Sequence, residues 1–101
     1  MIRIYATKKA SRYRLYLEGH ADFAKKDDIV CAAVSALTEA LIGYAAESPA
    51  CRHLRFSVKK GEAFLSCRGG LGAGFDMILR AYREIAAHYP RHVKIEIAEC
   101  S

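Results

Sequence analysis

The chain lacks the segments that mark secreted, membrane-spanning or repetitive proteins. Its amino-terminal stretch, which begins Met1-Ile2-Arg3-Ile4-Tyr5, has no apolar core of the kind that a signal peptide requires. No apolar run approaches the length of a membrane span, and no internal repeat or linker interrupts the sequence. We therefore expect one domain over residues 1–101, located in the cytoplasm and without a membrane partner.

Cysteine is present, but no pair of cysteines has a recognisable disulfide or metal-binding spacing. The four cysteines stand at positions 31, 51, 67 and 100, and no CxxC pair occurs. Without a secretion signal, reduced thiols are expected. The chemical alternative is a zinc site of two cysteines and two histidines, in which only one Cys-x-His pair is close in sequence. That alternative set is His20, Cys31, Cys51 and His53; because its spacing is unfamiliar, we expect no metal and no cofactor.

Charge defines a second class of function, which is binding without catalysis. The formal net charge is +5, and 52% of the residues are hydrophobic, which indicates a folded globular chain. A basic surface is suited to anionic partners such as RNA or ribosomes, although it also serves solubility alone. The sequence lacks the aromatic signature of RRM-type RNA binding. Basic residues stand near several predicted turns, at Arg12, Arg14, Lys25, Lys26, Lys59 and Lys60.

The hydrophobic periodicity predicts five strands and two helices in the order ββαββαβ. Alternating apolar residues predict strands over 2–6, 13–18, 54–58, 63–67 and 93–97, and helical spacing predicts helices over 28–47 and 73–89. Thr7 to Ser11 is expected to form a basic turn between two antiparallel strands. The glycine-dense stretch 68–74 lacks the lysine of a P-loop and is expected to be a flexible connector. This order favours a two-layer α/β (α+β) fold with both helices on one face of a small sheet.

The start of the first helix is the candidate site. Asp28 is a good N-cap, which places Cys31 in the first turn, where free N–H groups and the helix dipole favour the thiolate. Ser35 lies one turn later on the same side of the helix. His20 supplies a base upstream, although a lone cysteine or histidine more often has only a structural role. Backbone N–H groups at the start of this helix or in the preceding loop are the expected oxyanion donors.

The two segments Gly19-His20-Ala21 and Asp28-Ile29-Val30-Cys31-Ala32-Ala33-Val34-Ser35 resemble the hallmark of the ribosomal-processing cysteine protease family, Prp. The resemblance implies that Cys31 is the nucleophile and His20 the base, with Gly19, Asp28 and Ser35 supporting the site. It also implies a homodimer of two-layer α/β subunits. The expected activity is removal of the N-terminal extension of a large-subunit ribosomal protein, by a cut after an aromatic-rich apolar stretch. The alternative is a non-catalytic ribosome- or rRNA-associated protein.

The loop between the two hallmark segments departs from the family. In the family this loop carries a glycine, is mobile, and is typically one residue longer. We expect it to close over the bound peptide, with Phe23 meeting aromatic side chains, and Asp28 to orient His20. In this chain the expected substrate loop is glycine-free and consists of Ala21, Asp22, Phe23, Ala24, Lys25, Lys26 and Asp27.

Overall fold

The computed structural model of the protein describes residues 1–100, with side chains as far as residue 98. It contains five strands and two helices, and the predicted order ββαββαβ is confirmed. The elements are β1 (Ile2–Lys9), β2 (Arg12–Glu18), α1 (Ile29–Glu47), β3 (Arg52–Lys59), β4 (Glu62–Arg68), α2 (Gly72–His88) and β5 (Val93–Cys100).

The strands form one mixed sheet in the order β3-β4-β2-β1-β5. β1 and β2 form the predicted antiparallel hairpin, β4 pairs antiparallel with both β2 and β3, and β5 runs parallel to β1. The end of β2 and the β3–β4 hairpin turn therefore lie close together, and the Gly19 N–H donates to the Gly61 carbonyl (2.9 Å). This end of the sheet carries the candidate site.

The core lies between one face of the sheet and the two helices. Ile4, Leu15 and Leu65 line the sheet side and are at most 1% exposed. Phe75 and Tyr82 of α2 are fully buried against them. The helical spacing also predicts one inward-facing apolar stripe on each helix, and all but two of these residues are buried. The predicted stripes are Val30, Val34, Leu37 and Leu41 on α1 and Phe75, Leu79, Tyr82 and Ile85 on α2; Leu37 and Ile85 are half-buried.

One buried polar contact joins the two helices. The hydroxyl oxygens of Thr38 and Tyr82 lie 2.6 Å apart, and the Thr38 hydroxyl also lies 2.7 Å from the Val34 carbonyl, to which it can donate. Burial raises the pKa of Tyr82 to about 12. Both hydroxyls thus have partners in a region where an unpaired polar group would be costly.

Two predicted connections differ from the structure. Thr7 to Ser11 was expected to be a turn, but β1 continues to Lys9, because Thr7 is paired with Arg14 on one side and with Ala98 on the other. The glycine-dense connector is not free: Leu71 is fully buried, and the Gly69 N–H donates to the Ser11 carbonyl (2.7 Å). The first prediction failed because the end of β1 carries polar side chains on its outer face. The second failed because the glycine-dense stretch contains a leucine that the core buries.

α1 also differs from one expectation, since its 19 residues reach a mean hydropathy of 1.8 and are long and apolar enough to cross a membrane. Alanines contribute much of this hydropathy. The core helix of a globular fold has the same composition, and α1 buries six residues, including Val34 and Leu41, within this chain. We therefore describe α1 as a core helix.

Candidate active site

The candidate catalytic residues line one cleft. It has a volume of about 310 Å³ and lies between α1, the end of β2 and the β3–β4 turn. His20, Cys31 and Ser35 all line it, although they come from two separate sequence segments. Cys31 is half-buried, whereas His20 and Ser35 are exposed. The fold therefore places a thiol, an imidazole and a hydroxyl where one substrate can meet all three.

The predicted N-cap of α1 is confirmed. Asp28 has an extended backbone, and its Oδ1 accepts hydrogen bonds from the N–H groups of Val30 and Cys31, both at 3.0 Å. These hydrogen bonds lower the pKa of the Asp28 carboxyl from its ordinary value of 3.8, and the hydrogen bond from the Cys31 N–H contributes most. The carboxylate thus fixes the first turn of α1, and with it the backbone of Cys31.

The second oxygen of Asp28 holds the candidate substrate loop. Oδ2 accepts from the N–H groups of Phe23 (3.0 Å) and Ala24 (3.2 Å). The expectation that Asp28 orients His20 is wrong, because both carboxylate oxygens are directed at backbone N–H groups. Asp28 instead ties the loop to the helix that carries Cys31.

Ala21 forms the closest polar contact to the Cys31 sulfur. Its N–H donates to Sγ at 3.3 Å, and the residue itself is 1% exposed. Its carbonyl oxygen lies 2.8 Å from Nδ1 of His92, which must donate because a carbonyl can only accept. Ala21 is therefore held at both its N–H and its C=O.

His92 is the site residue that the sequence analysis missed. It stands 71 residues after Ala21 and immediately before β5, and no local pattern distinguishes it. The rings of His92 and Tyr89 each meet Phe23 edge to face, with centroids 5.3 Å apart in both pairs. The aromatic side chain of the loop thus rests on the segment that leads into β5 and remains 42% exposed.

His20 lies against the β3–β4 turn and is not hydrogen-bonded to the thiol. A Cβ added to Gly61 would lie 2.9 Å from His20 Nε2, so the ring packs directly on this glycine. Within the described residues, no hydrogen bond joins the His20 ring to Cys31. Catalytic hydrogen bonds are often long without substrate, so this geometry does not argue against a base.

Backbone conformation explains how the loop folds without glycine. Asp22 and Asp27 have positive φ angles of 55° and 52°. Aspartate tolerates this left-handed conformation better than most residues. Gly19, just before His20, has a φ of 92°, and a Cβ there would clash with the Met1 carbonyl oxygen. Two aspartates thus take the conformations for which glycine is otherwise favoured, and Lys25 and Lys26 remain exposed.

The remaining sulfur and imidazole groups lie elsewhere. Cys51 and Cys67 carry free thiols beside each other, and burial, followed by the proximity of Cys51, raises the pKa of Cys67 to about 11. His53 lines a different pocket, on the sheet. The alternative zinc set is therefore not gathered in one place: His20 and Cys31 line the cleft, Cys51 lies beside Cys67, and His53 lines the other pocket. The side chain of Cys100 lies outside the described residues.

A thiol at a capped helix start, with an imidazole across a cleft, defines the class of cysteine hydrolases. The family model described as Cysteine protease Prp matches residues 1–94. The chain belongs to this family and is a cysteine protease, which confirms the resemblance inferred from the two hallmark segments. Among curated proteins, none matches the chain.

Solved structures share the fold over nearly the whole chain. The essential ribosomal processing protease Prp from S. aureus, in complex with a covalently linked product peptide, superposes with a TM-score of 0.80 at 19% identity, covering 97% of this chain and 100% of that one. The same protease with a substrate peptide gives 0.76 at 18%, with the same coverage. SMU.848 from Streptococcus mutans gives 0.72 at 22%, covering 99% and 96%.

Proposed function

We propose that the protein is an endopeptidase that removes the N-terminal extension of a large-subunit ribosomal protein. The observation that carries the proposal is the single cleft that holds Cys31, His20 and Ser35. Ribosomal processing is the activity of the structurally similar S. aureus protease. Cytoplasmic location follows from this substrate, because ribosomal proteins are made and assembled there.

In the proposed reaction the Cys31 sulfur attacks the carbonyl carbon of the scissile bond. His20 takes the thiol proton and gives it to the leaving amine, which leaves an acyl group on sulfur. Water, deprotonated by the same imidazole, then releases the product acid and restores the thiol. Both catalytic groups return to their starting protonation, so the cycle needs no cofactor.

The nearest donor for the oxyanion is the Ala21 N–H. The N–H groups of Val30 and Cys31 donate to Asp28, and that of Ala32 donates to the Asp28 carbonyl. The helix start, one of the two expected sources of oxyanion donors, is therefore already engaged, which leaves the preceding loop. The Ala21 N–H lies 3.3 Å from the sulfur, so it is close enough to donate to the oxyanion that forms when that sulfur attacks the carbonyl carbon.

The cleft and loop suit an aromatic-rich apolar substrate stretch. Apolar side chains line the cleft beside Cys31, among them Leu17, Val34 and Val58. Val58 is 52% exposed and Phe23 is 42% exposed, which leaves apolar surface for a peptide to cover. We place the substrate under the loop 21–27, with its aromatic side chains against Phe23 and the cut on the far side of that stretch.

We also propose a homodimer. Tyr44 and Met77 are 45% and 66% exposed, and they flank an apolar groove between α1 and α2. A second copy covering this groove would bury both side chains. Light scattering should give twice the chain mass, and Met77→Glu should shift it toward the monomer; a wild-type monomer at micromolar concentration contradicts the proposal.

The test of the activity uses a peptide that spans the extension and the start of the mature ribosomal protein. Cys31→Ala and His20→Ala should each abolish cleavage read by mass spectrometry, with unchanged thermal melts. Ser35→Ala should be milder and act mainly on substrate positioning. Cys51→Ala is the matched control and should cleave like the wild type. Cleavage by Cys31→Ala contradicts the mechanism, and a wild type that binds ribosomes but never cuts supports the non-catalytic alternative.

A further inference from the structure

The face of the sheet opposite the helices carries an ordered row of aromatic side chains. Strand alternation puts Ile4, Leu15 and Leu65 in the core, so their neighbours in sequence face outward. Tyr5, Tyr16 and Phe64 are direct cross-strand partners on β1, β2 and β4. The Tyr5 and Tyr16 rings are stacked, with centroids 6.3 Å apart and planes inclined by 29°. All three rings are only partly buried.

A cluster of arginines adjoins this row. Arg14 and Arg55 flank Ser66 in the next outward-facing row of the sheet, and Arg12 is paired with Arg68 in the row beyond it. Adjacent outward rows are about 7 Å apart. The cluster borders an open pocket of about 400 Å³, lined by Arg12, Arg14, His53, Arg55, Ser66, Cys67 and Arg68. We call the aromatic row and these four arginines the outer sheet surface.

The arginines are not neutralised by their own chain. Within the described side chains, none of the four guanidinium groups forms an ion pair. The acidic side chains of this face border the aromatic row instead: the Tyr16 hydroxyl lies 3.5 and 3.4 Å from the carboxylates of Glu18 and Glu62, and Glu96 on β5 is the cross-strand partner of Tyr5. The outer sheet surface therefore has a strongly cationic end, an aromatic middle and an acidic boundary.

We propose that the outer sheet surface binds single-stranded RNA. Arginines pair with phosphates, and aromatic rings on a sheet stack with unpaired bases, so the two rows match the alternating chemistry of one strand. A duplex has its bases already stacked and would use only the arginines. The choice of RNA over DNA rests on the proposed function, because a ribosomal substrate is met beside rRNA; the binding itself does not depend on proteolysis.

The surface is separate from the candidate active site. The cleft is lined by α1, the end of β2 and the β3–β4 turn, whereas the arginine pocket shares none of its residues. Substitution of the four arginines should therefore leave peptide cleavage unchanged. Loss of RNA binding and loss of proteolysis can thus be measured independently.

The experiment is fluorescence anisotropy with a labelled oligouridylate of about 16 nucleotides, titrated between about 50 and 200 mM salt. The variant Arg14→Ala/Arg55→Ala is compared with Arg80→Ala/Arg83→Ala, which removes the same charge from exposed positions on α2. The first should lower the slope of log affinity against log salt by about 1.4, or 0.7 per phosphate contact. The second should leave the slope unchanged.

A third variant separates stacking from charge. Tyr16→Leu should weaken binding roughly tenfold or more without changing the salt slope, because a base loses its ring but no phosphate loses its cation. Tyr16→Leu should not change the affinity for a labelled RNA duplex of the same length. Equal slopes for the two arginine variants, or no binding to oligouridylate, would overturn the proposal. So would light scattering that shows Arg14→Ala/Arg55→Ala to break a dimer, which would assign the surface to a second copy.

Discussion

Substitution of Gly61 by alanine tests whether the β3–β4 turn positions His20. Gly61 has a φ of 78°, and an added Cβ would lie 2.9 Å from His20 Nε2 and 3.2 Å from its Cε1. Ordinary contact begins near 3.4 Å, so the exposed ring must move by about 0.5 Å or more. Because misplacement by about 1 Å can cost 100-fold in rate, we expect Gly61→Ala to lower kcat/KM by about tenfold.

The matched control is Gly69→Ala, which imposes similar backbone strain away from the cleft. Gly69 has a φ of 71°, and its added Cβ would meet the Ala50 carbonyl oxygen at 3.1 Å. A left-handed alanine costs about 1–2 kcal/mol, so both variants should melt lower, by about 4–8 °C for each kcal/mol. Gly43→Ala, which meets nothing within 4 Å on α1, should melt slightly higher than the wild type.

The assay measures kcat/KM for the junction peptide and the melting temperature of all three variants. Only Gly61→Ala should lose activity beyond what its stability explains. Equal activity in Gly61→Ala and Gly69→Ala would refute the reasoning that the turn sets the position of His20.

Three further predictions follow from the site and the core. The folded state holds the pKa of Asp28 below its ordinary value of 3.8. The ionised carboxylate therefore stabilises the fold above pH 3.8, and this stabilisation is lost as the pH falls through the folded pKa. Thermal melts of Asp28→Asn should show a smaller acid-induced loss of stability than those of the wild type. His92→Phe keeps a ring against Phe23 but removes the donor to Ala21, so kcat should fall more than KM rises in steady-state assays. Tyr82→Phe should lower the free energy of unfolding by about 1 kcal/mol. Because folding raises the pKa of Tyr82 from 10.0 to about 12, the wild type should also lose stability as the pH rises above 10.0. Denaturant titrations should show a smaller loss for Tyr82→Phe.

Much of the fold could be predicted because its signals are local. The alternation of Leu15 and Leu17 fixes a strand with one buried face, and the spacing of Val30, Val34 and Leu41 fixes a helix with one. The Asp28 cap is equally local, since its carboxylate reaches N–H groups only two and three residues ahead. Such features need no knowledge of the rest of the chain.

The rest of the site depends on contacts between distant residues. The contact of His92 with Ala21 joins positions 71 apart and appears only when β5 pairs with β1. Likewise, Gly61 reads as an ordinary hairpin glycine until the turn is seen against His20. The second role of Asp28, holding Phe23 and Ala24, follows from a loop conformation that no periodicity encodes.

The central claim is that Cys31 becomes acylated during peptide cleavage. The most direct measurement is rapid quenching in acid during turnover of the junction peptide, followed by tandem mass spectrometry of the protein. Trypsin leaves Cys31 and Cys51 on one peptide, residues 27–52, so fragmentation must locate the added mass. We expect the acyl group of the amino-terminal substrate fragment on Cys31 in the wild type and no adduct in Cys31→Ala. An adduct on Cys51 during turnover would contradict the claim. So would a His20→Ala protein that still cleaves the peptide while its Cys31 remains unmodified.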